Sequence, residues 1–473
     1  MKILLLKPPL TLPDNFNGIA RFAPPLGLGY IASVLEKNGY DVTILDTGIE
    51  KWKQINTRSD GVKYVGMNFR ETAEYCKKFD VVGVTVLTVD AITAFEMCER
   101  IKKMNPQIEI IAGGPHICIN PQQRPSFLDD VIVGEGEYSF IKLLKLEKRI
   151  FFNVVESELI ENLDDLPFPA RHLMNLDKYF EVSKYFQGSR NVKERSGSII
   201  TSRGCPYNCI FCSVRLSMGQ KFRARSVENV VDELEEMVNK YKMEYILFED
   251  DNFTLDRERI IKICDLIKQR GLKFKWGTPN GVRADKLDKE LLIKMKESGL
   301  VDIIVSPESG NQFVVDNIIG KHLDLNCVLN VAKWCKELGI IFGAYFVIGN
   351  PGETLEQMED TVRFADKIRE LGGTPFCFIA LPFYGTRLYN ISKEKGYLLK
   401  DGIELEKGLL NMEAMIKTPD FTPEDLYKIR DRIQGKTHSN EIKEMILTRP
   451  LDSIRFFLAR PKFIMKYFLR KLL

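Results

Sequence analysis

Short unbroken apolar runs alternate with longer stretches in which apolar residues recur every three or four positions, and the chain does this in two series. The first series contains KILLL (2–6), LGLGYIASVLEKNGY (26–40), DVTILD (41–46), DVVGVTVLT (80–88), AITAFEMCERIKKM (91–104), IEIIAGG (108–114) and DVIVG (130–134). Unbroken runs suit strands buried on both faces, and periodic stretches suit amphipathic helices, the one at 26–40 closed by Gly39. Strand and helix in alternation predict a parallel sheet covered on both sides, a doubly wound, Rossmann-like α/β domain over residues 1–150. Ligands of such sheets gather at the carboxyl ends of the strands. Those ends carry Pro8-Pro9, Asp46, Thr85 to Thr88, GGPH (113–116) and GEGE (134–137). Glycine turns at several successive strand ends suit a broad, flat ligand better than one phosphate.

Residues 151–195, with LDDLPFPARHLMNLDKYF at 163–180, break the periodicity and read as a linker packed against both neighbours. The second series then runs SIITS (198–202), VENVVDELEEMVNKY (227–241), YILFED (245–250), a helix over 256–270 and FKWGT (274–278). It continues with a helix over 288–298, DIIVS (302–306), a helix over 323–338, IIFGAYFVIG (340–349), a helix over 354–371 and PFCFIAL (375–381). Six strand–helix units predict a partial (β/α)6 TIM-type barrel over 196–390, with its site at the carboxyl strand ends. A small helical C-terminal region, 391–473, follows.

Composition narrows the class. The 473 residues exceed one hydrophobic core, and 44% apolar with 28% charged residues is a globular balance. A net charge of +3 gives no case for a nucleic-acid partner. The opening MKILLLKPPL breaks its apolar run at Lys7-Pro8-Pro9, too early for a signal-peptide core, and no stretch approaches the roughly 20 apolar residues of a membrane span. The expectation is a cytoplasmic protein. Residues 447–473 interleave Arg449, Arg455, Arg460, Lys462, Lys466, Arg470 and Lys471 with aromatics and leucines. Such a basic amphipathic segment suits peripheral contact with a membrane, or a helix packed on the barrel with its basic face in water.

The ten cysteines do not form a disulfide framework. Seven are scattered, mostly within apolar patterns, as buried small hydrophobes are. Cys205, Cys209 and Cys212 instead share one Cx3Cx2C loop directly after a predicted strand. Thiolates favour zinc, copper(I) or iron–sulfur clusters. A structural zinc takes four protein ligands, and only His322, His438 and Cys377, all distant along the chain, are offered as a fourth. Three thiolates can hold three irons of a 4Fe–4S cluster and leave the last iron open to another ligand.

Cys205-x3-Cys209-x-Phe211-Cys212 resembles the signature of radical S-adenosylmethionine (SAM) enzymes. FEDDNF (248–253), NGVRAD (280–285), PESGNQ (307–312), IGNPGET (348–354) and PFYGTRLY (382–389) are similar to motifs of the subgroup with an N-terminal cobalamin-binding domain. PPLGLGYIASVLEKNGYDVTILD, GGPH, GEGE and LPFPAR resemble that subgroup's first half and linker, so the likeness spans about residues 1–390. It implies a 4Fe–4S cluster on the three cysteines, SAM chelated to the open iron, and cobalamin in the first domain. It also implies reductive SAM cleavage to a 5′-deoxyadenosyl radical, hydrogen abstraction from an unactivated carbon, and methyl transfer from cobalt. An electron donor such as flavodoxin or ferredoxin is then required. One departure stands out: DTGIEKW has Asp46 but no histidine two residues on, so DxHxxG is absent and cobalt lacks the usual lower histidine.

The resemblance also implies roles. Phe211 packs near the adenine, Asp250 and Asp251 meet the SAM amino group or order the substrate, and Arg283 pairs with the SAM carboxylate. Glu308 and Ser309 bind ribose, Gly349, Pro351 and Gly352 bring backbone to the adenosine, and Tyr384 hydrogen-bonds the substrate. Pro9, Asp46, Thr85, Thr88, Gly113, Gly114, His116, Gly134 and Glu135 lie along the corrin or its nucleotide tail. Plainer roles stand beside these: turn capping for the aspartates, a salt bridge for Arg283, a helix cap for Glu353 and a packed turn for Tyr384. Two other activities remain open, ring formation or oxidation by the same cofactors without methyl transfer, and tRNA methylthiolation. The latter needs further N-terminal cluster cysteines, and the first half offers only dispersed Cys76, Cys98 and Cys118.

Overall fold

The computed structural model describes residues 1–14, 16, 22–123, 125–146, 153–183 and 194–448. The basic segment 449–473 therefore lies outside the described residues. Six parallel strands form the first sheet: β1 (Lys2–Lys7), β2 (Asp41–Asp46), β3 (Val81–Thr85), β4 (Glu109–Gly113), β5 (Asp130–Val133) and β6 (Asn153–Glu156). Their order is β2-β1-β3-β4-β5-β6. Alternation within β1 separates two cores, Leu4 and Leu6 packing on one face and Ile3 and Leu5 on the other. The chain leaves β1 in opposite directions toward β2 and β3, so the topological switch point lies between β1 and β3. Strand β6 extends this sheet into the stretch expected to be linker.

Within the linker stretch, Pro169, Ala170 and Met174 pack against the first helix, Leu26–Lys37. Ala170 N–H donates to Gly29 O at 3.0 Å. A Cβ on Gly29 would stand 2.5 Å from the Met174 side chain and 3.0 Å from Pro169, so glycine permits the close approach. A small antiparallel sheet joins Leu10–Thr11, which follows β1, to Lys63–Val65 and Ile55–Thr57, which follow β2.

The second sheet is parallel and in chain order: β7 (Ser196–Ile199), β8 (Tyr245–Phe248), β9 (Lys275–Val282), β10 (Leu300–Glu308), β11 (Ile341–Ile348) and β12 (Thr374–Ile379). It is the open six-stranded half-barrel that the periodicity predicts. Phe248, Phe253 and Trp276 form an aromatic centre, with ring centroids 4.9 to 5.9 Å apart. Helix Pro423–Thr448 packs across β12 and Leu355–Glu370, covering that edge of the sheet. Among the described residues no helix is long and apolar enough to cross a membrane.

Candidate active site and cofactor cradle

Strand β7 ends at Ile199, and the chain then makes a short antiparallel pair, Ser202–Arg203 with Arg223–Ala224, whose enclosed loop carries the cysteines. Gly204 turns the chain at φ +83°, and its N–H donates to Asp251 Oδ2 at 3.0 Å. Ile210 is held on both sides: its N–H donates to Ile319 O at 3.0 Å, and its carbonyl accepts from Leu388 N–H at 2.9 Å. Cys205, Cys209 and Cys212 are half-buried, and burial pushes all three thiols up, Cys212 to about 12. Thiols this reluctant to ionise alone become ligands when a metal supplies the compensating charge. Among the described residues no three His, Cys, Asp or Glu side chains converge on a single-ion site. Three thiols on one loop fit a cluster with one open iron. Phe211 packs against the barrel core.

The other strand ends surround this loop. Asp250 is buried and accepts from the Thr201 hydroxyl at 2.7 Å and the Ser202 hydroxyl at 2.5 Å, so it anchors the entry to the loop. Burial raises Asp251 to about 6 despite its bond from Gly204. Arg283 gives Nε to Asp285, Nη1 to Lys321 O and Nη2 to His322 O, and its guanidinium stacks 3.8 Å from the ring of Tyr207. It therefore braces the cysteine loop. Lys321, a cation the sequence reading overlooked, pairs with Glu308 at 2.7 Å, both side chains at most 9% exposed. Glu308 sits at φ +68°, a strained conformation of the kind stored at functional sites. The Ser309 hydroxyl lies 3.1 Å from that of Thr361.

Glu353 is not the cap of the helix after β11. Thr354 is, in a capping box with Gln357. Glu353 folds back instead and accepts from the N–H groups of Gly349 and Asn350 at 2.9 and 3.1 Å. Burial raises it to about 7. Among the described residues Glu353 Oε1 and Asn350 Oδ1 are buried with no hydrogen-bond partner, two acceptors that fit the donors of an adenosine. The Tyr384 hydroxyl donates to Gly402 O at 3.0 Å, and its ring belongs to a cluster with Ile119, Leu405 and Leu409, against which Leu216 of the cysteine loop also packs.

In the first domain a largely apolar cavity of about 300 Å³ opens at the carboxyl ends of the strands. Thr85, Gly113, Gly114, Gly134 and Glu135 line it together. Gly114, at φ +100°, leaves no room for a Cβ, which would stand 2.8 Å from Thr85 Oγ1 and 2.9 Å from Val86 N. Pro9, Asp46, Thr88 and His116 are not in this lining. Asp46 accepts from the Tyr179 hydroxyl at 2.7 Å, pairs with Lys7 at 2.9 Å and caps Thr47–Glu50. Thr88 lies beneath helix Gly402–Leu410. His116 is fully buried, its Nε2 is 2.6 Å from Gln123 Oε1, and burial lowers its pKa.

The cavity reaches the second domain through side chains that sequence reasoning missed. Arg203 donates to Glu135 at 2.8 Å and Glu137 at 2.6 Å, and Arg223 donates to Glu135 at 2.7 Å. Burial would raise the Glu135 carboxyl, but Arg223 and Arg203 outweigh it and hold it low. Glu233 is held below its ordinary range in the same way, by Arg171 and Arg225. The only hints in the sequence were the alternating arginines of FRARS and the paired glutamates of GEGE.

A half-barrel whose three-cysteine loop meets a glycine-lined, doubly wound domain defines a class. The chain matches the family model of the Radical SAM superfamily over residues 199–365 and that of the B12 binding domain over residues 17–144. It belongs to the radical SAM enzymes with an N-terminal cobalamin-binding domain, and its cofactors are a 4Fe–4S cluster, SAM and cobalamin. An uncharacterized methyltransferase of Pyrococcus horikoshii is 31% identical over 91% of this chain and 90% of its own length. The cytidylyl-2-hydroxyethylphosphonate methyltransferase of Streptomyces wedmorensis is also 31% identical, over 91% of each chain. The solved structure of the radical SAM methyltransferase TsrM from Kitasatospora setae shares the fold, with a TM-score of 0.65 at 16% identity, over 90% of this chain and 88% of that one.

Proposed function

We propose that this enzyme transfers a methyl group from SAM, by way of cobalamin, to an unactivated carbon or phosphorus of its substrate. When bound, the cluster and SAM supply a 5′-deoxyadenosyl radical, and cobalamin supplies the methyl carrier. The chain's own work is placement. Cys205, Cys209 and Cys212 would hold the cluster by three of its irons. Glu353 and Asn350 would offer buried acceptors to the adenosine, and Lys321 with Arg283 sets positive charge beside the cysteine loop. Gly113 and Gly114, in the cavity wall, would lie against the corrin or its tail. The observation that carries the reading is the cavity itself, because Arg203, two residues before Cys205, forms part of its wall. The methyltransferases that match over nearly the whole chain support it further.

The electron donor is proposed to be a low-potential protein such as flavodoxin or ferredoxin. The reading is tested by incubating the loaded enzyme anaerobically with reductant, cell extract and SAM carrying a trideuterated methyl group. An extract compound that gains a deuterated methyl group supports methyl transfer. SAM consumption with no labelled product speaks for ring formation or oxidation.

A further inference from the structure

The interface between the two domains contains four charges that the reaction does not require. Glu135 and Glu137 stand in the cavity wall, at the carboxyl end of β5. Arg203 and Arg223 face each other across the short antiparallel pair that opens and closes the cysteine loop. The four side chains are only 1 to 7% exposed. Two carboxylates and two guanidiniums sum to zero, so the set is tolerable in the interior only as a complete set. Its geometry is forked: one end of Arg203 takes Glu135 and the other Glu137, while Glu135 gives its second oxygen to Arg223.

The set also reaches the loop's return arm. Arg223 donates to Met218 O at 2.8 Å, and Met218 lines the cavity as well. Tyr30, a further wall residue, lies with its ring 5.2 Å from the Arg203 guanidinium. Anything that fills the cavity therefore touches side chains rigidly tied to both arms of the cysteine loop.

We propose that Arg203 is a positioning residue that couples occupancy of the first-domain cavity to the geometry of the cysteine loop, so that cobalamin and SAM bind cooperatively. The inference rests on the cofactors and not on methyl transfer. Coupling of this kind is reciprocal: cobalamin tightens SAM binding by the factor by which SAM tightens cobalamin binding.

The test uses the full chain with its cluster reconstituted, with and without hydroxocobalamin. SAM affinity is measured by titration, and the reduced cluster with SAM is examined by electron paramagnetic resonance. Wild type is expected to bind SAM about fivefold or more tightly once cobalamin is present, with a shifted cluster signal. Arg203→Lys keeps the charge but loses the fork. Glu137→Gln removes one of the four charges and keeps a hydrogen-bond acceptor. In Glu137→Gln, and in Arg203→Lys where it loads its cluster, both cofactors are expected to bind while cobalamin no longer changes SAM affinity or the signal. Equal SAM affinity with and without cobalamin in wild type, or full coupling retained in Glu137→Gln, overturns the proposal. Failure of wild type to bind hydroxocobalamin at all refutes the cofactor assignment instead, and is seen directly by absorbance.

Discussion

Replacing Gly204 with alanine tests whether backbone geometry, and not only the three thiols, builds the cluster site. Gly204 sits at φ +83°, where an L-residue costs about 1–2 kcal/mol. The new Cβ would stand 2.3 Å from Lys221 O and 3.1 Å from Met218 O. Both obstacles are backbone carbonyls of the loop's return arm, so no rotamer change relieves them. If Gly204 shifts away from them, the 3.0 Å bond from its N–H to Asp251 is lost, worth about 1.5–3 kcal/mol for a charged acceptor. A loss of about 3–4 kcal/mol, concentrated at the residue before Cys205, is expected. The assay is iron and sulfide per chain after anaerobic reconstitution, with 5′-deoxyadenosine formation and urea unfolding measured in parallel. The variant is expected to hold substoichiometric cluster, to cleave SAM at least tenfold more slowly and to unfold at lower urea. Wild-type iron content with an unchanged unfolding midpoint would refute the reasoning.

Other outcomes follow from the same geometry. Gly114→Ala should weaken cobalamin binding about tenfold or more while the cluster loads normally, because its Cβ would meet Thr85 and Val86; an unchanged absorbance titration would contradict this. Arg283→Lys loses the fork to Lys321 O and His322 O and the stack on Tyr207, so SAM cleavage should fall about tenfold to a hundredfold with cobalamin affinity unchanged. Glu353, raised by burial from 4.5 to about 7, binds more protons folded than unfolded across that window. Stability of the cofactor-free protein should therefore fall as pH rises from about 4.5 to 7, by at most about 3 kcal/mol, and Glu353→Gln should flatten that slope in urea unfolding at pH 5 and pH 8.

The fold was legible where a strand's burial imposed a pattern. DVTILD and AITAFEMCERIKKM match their elements residue for residue, because both faces of the sheet are covered and the helices are amphipathic. Asn153–Glu156 and the three-residue strands Ile55–Thr57 and Lys63–Val65 were not legible, since so few residues of mixed polarity carry no period. The cysteine loop could be read because its chemistry lies in local spacing. The interface arginines could not: Arg203 meets its glutamates 66 and 68 positions away and Arg223 meets Glu135 88 away, and no local pattern marks a buried charge. Asp250 shows the same limit. Its place at the end of β8 was legible, but its bonds to Thr201 and Ser202 depend on β7 and β8 being neighbours.

The most direct measurement is the ratio of S-adenosylhomocysteine to 5′-deoxyadenosine, quantified by mass spectrometry from enzyme loaded with cluster and cobalamin, reduced, and supplied with SAM and cell extract. In the proposed reaction one SAM would give up its methyl and another would be cleaved to the radical in each turnover, so extract-dependent formation of both compounds in about equal amounts is expected. Extract-stimulated 5′-deoxyadenosine without S-adenosylhomocysteine would contradict methyl transfer and leave a cobalamin-binding radical enzyme of another reaction type.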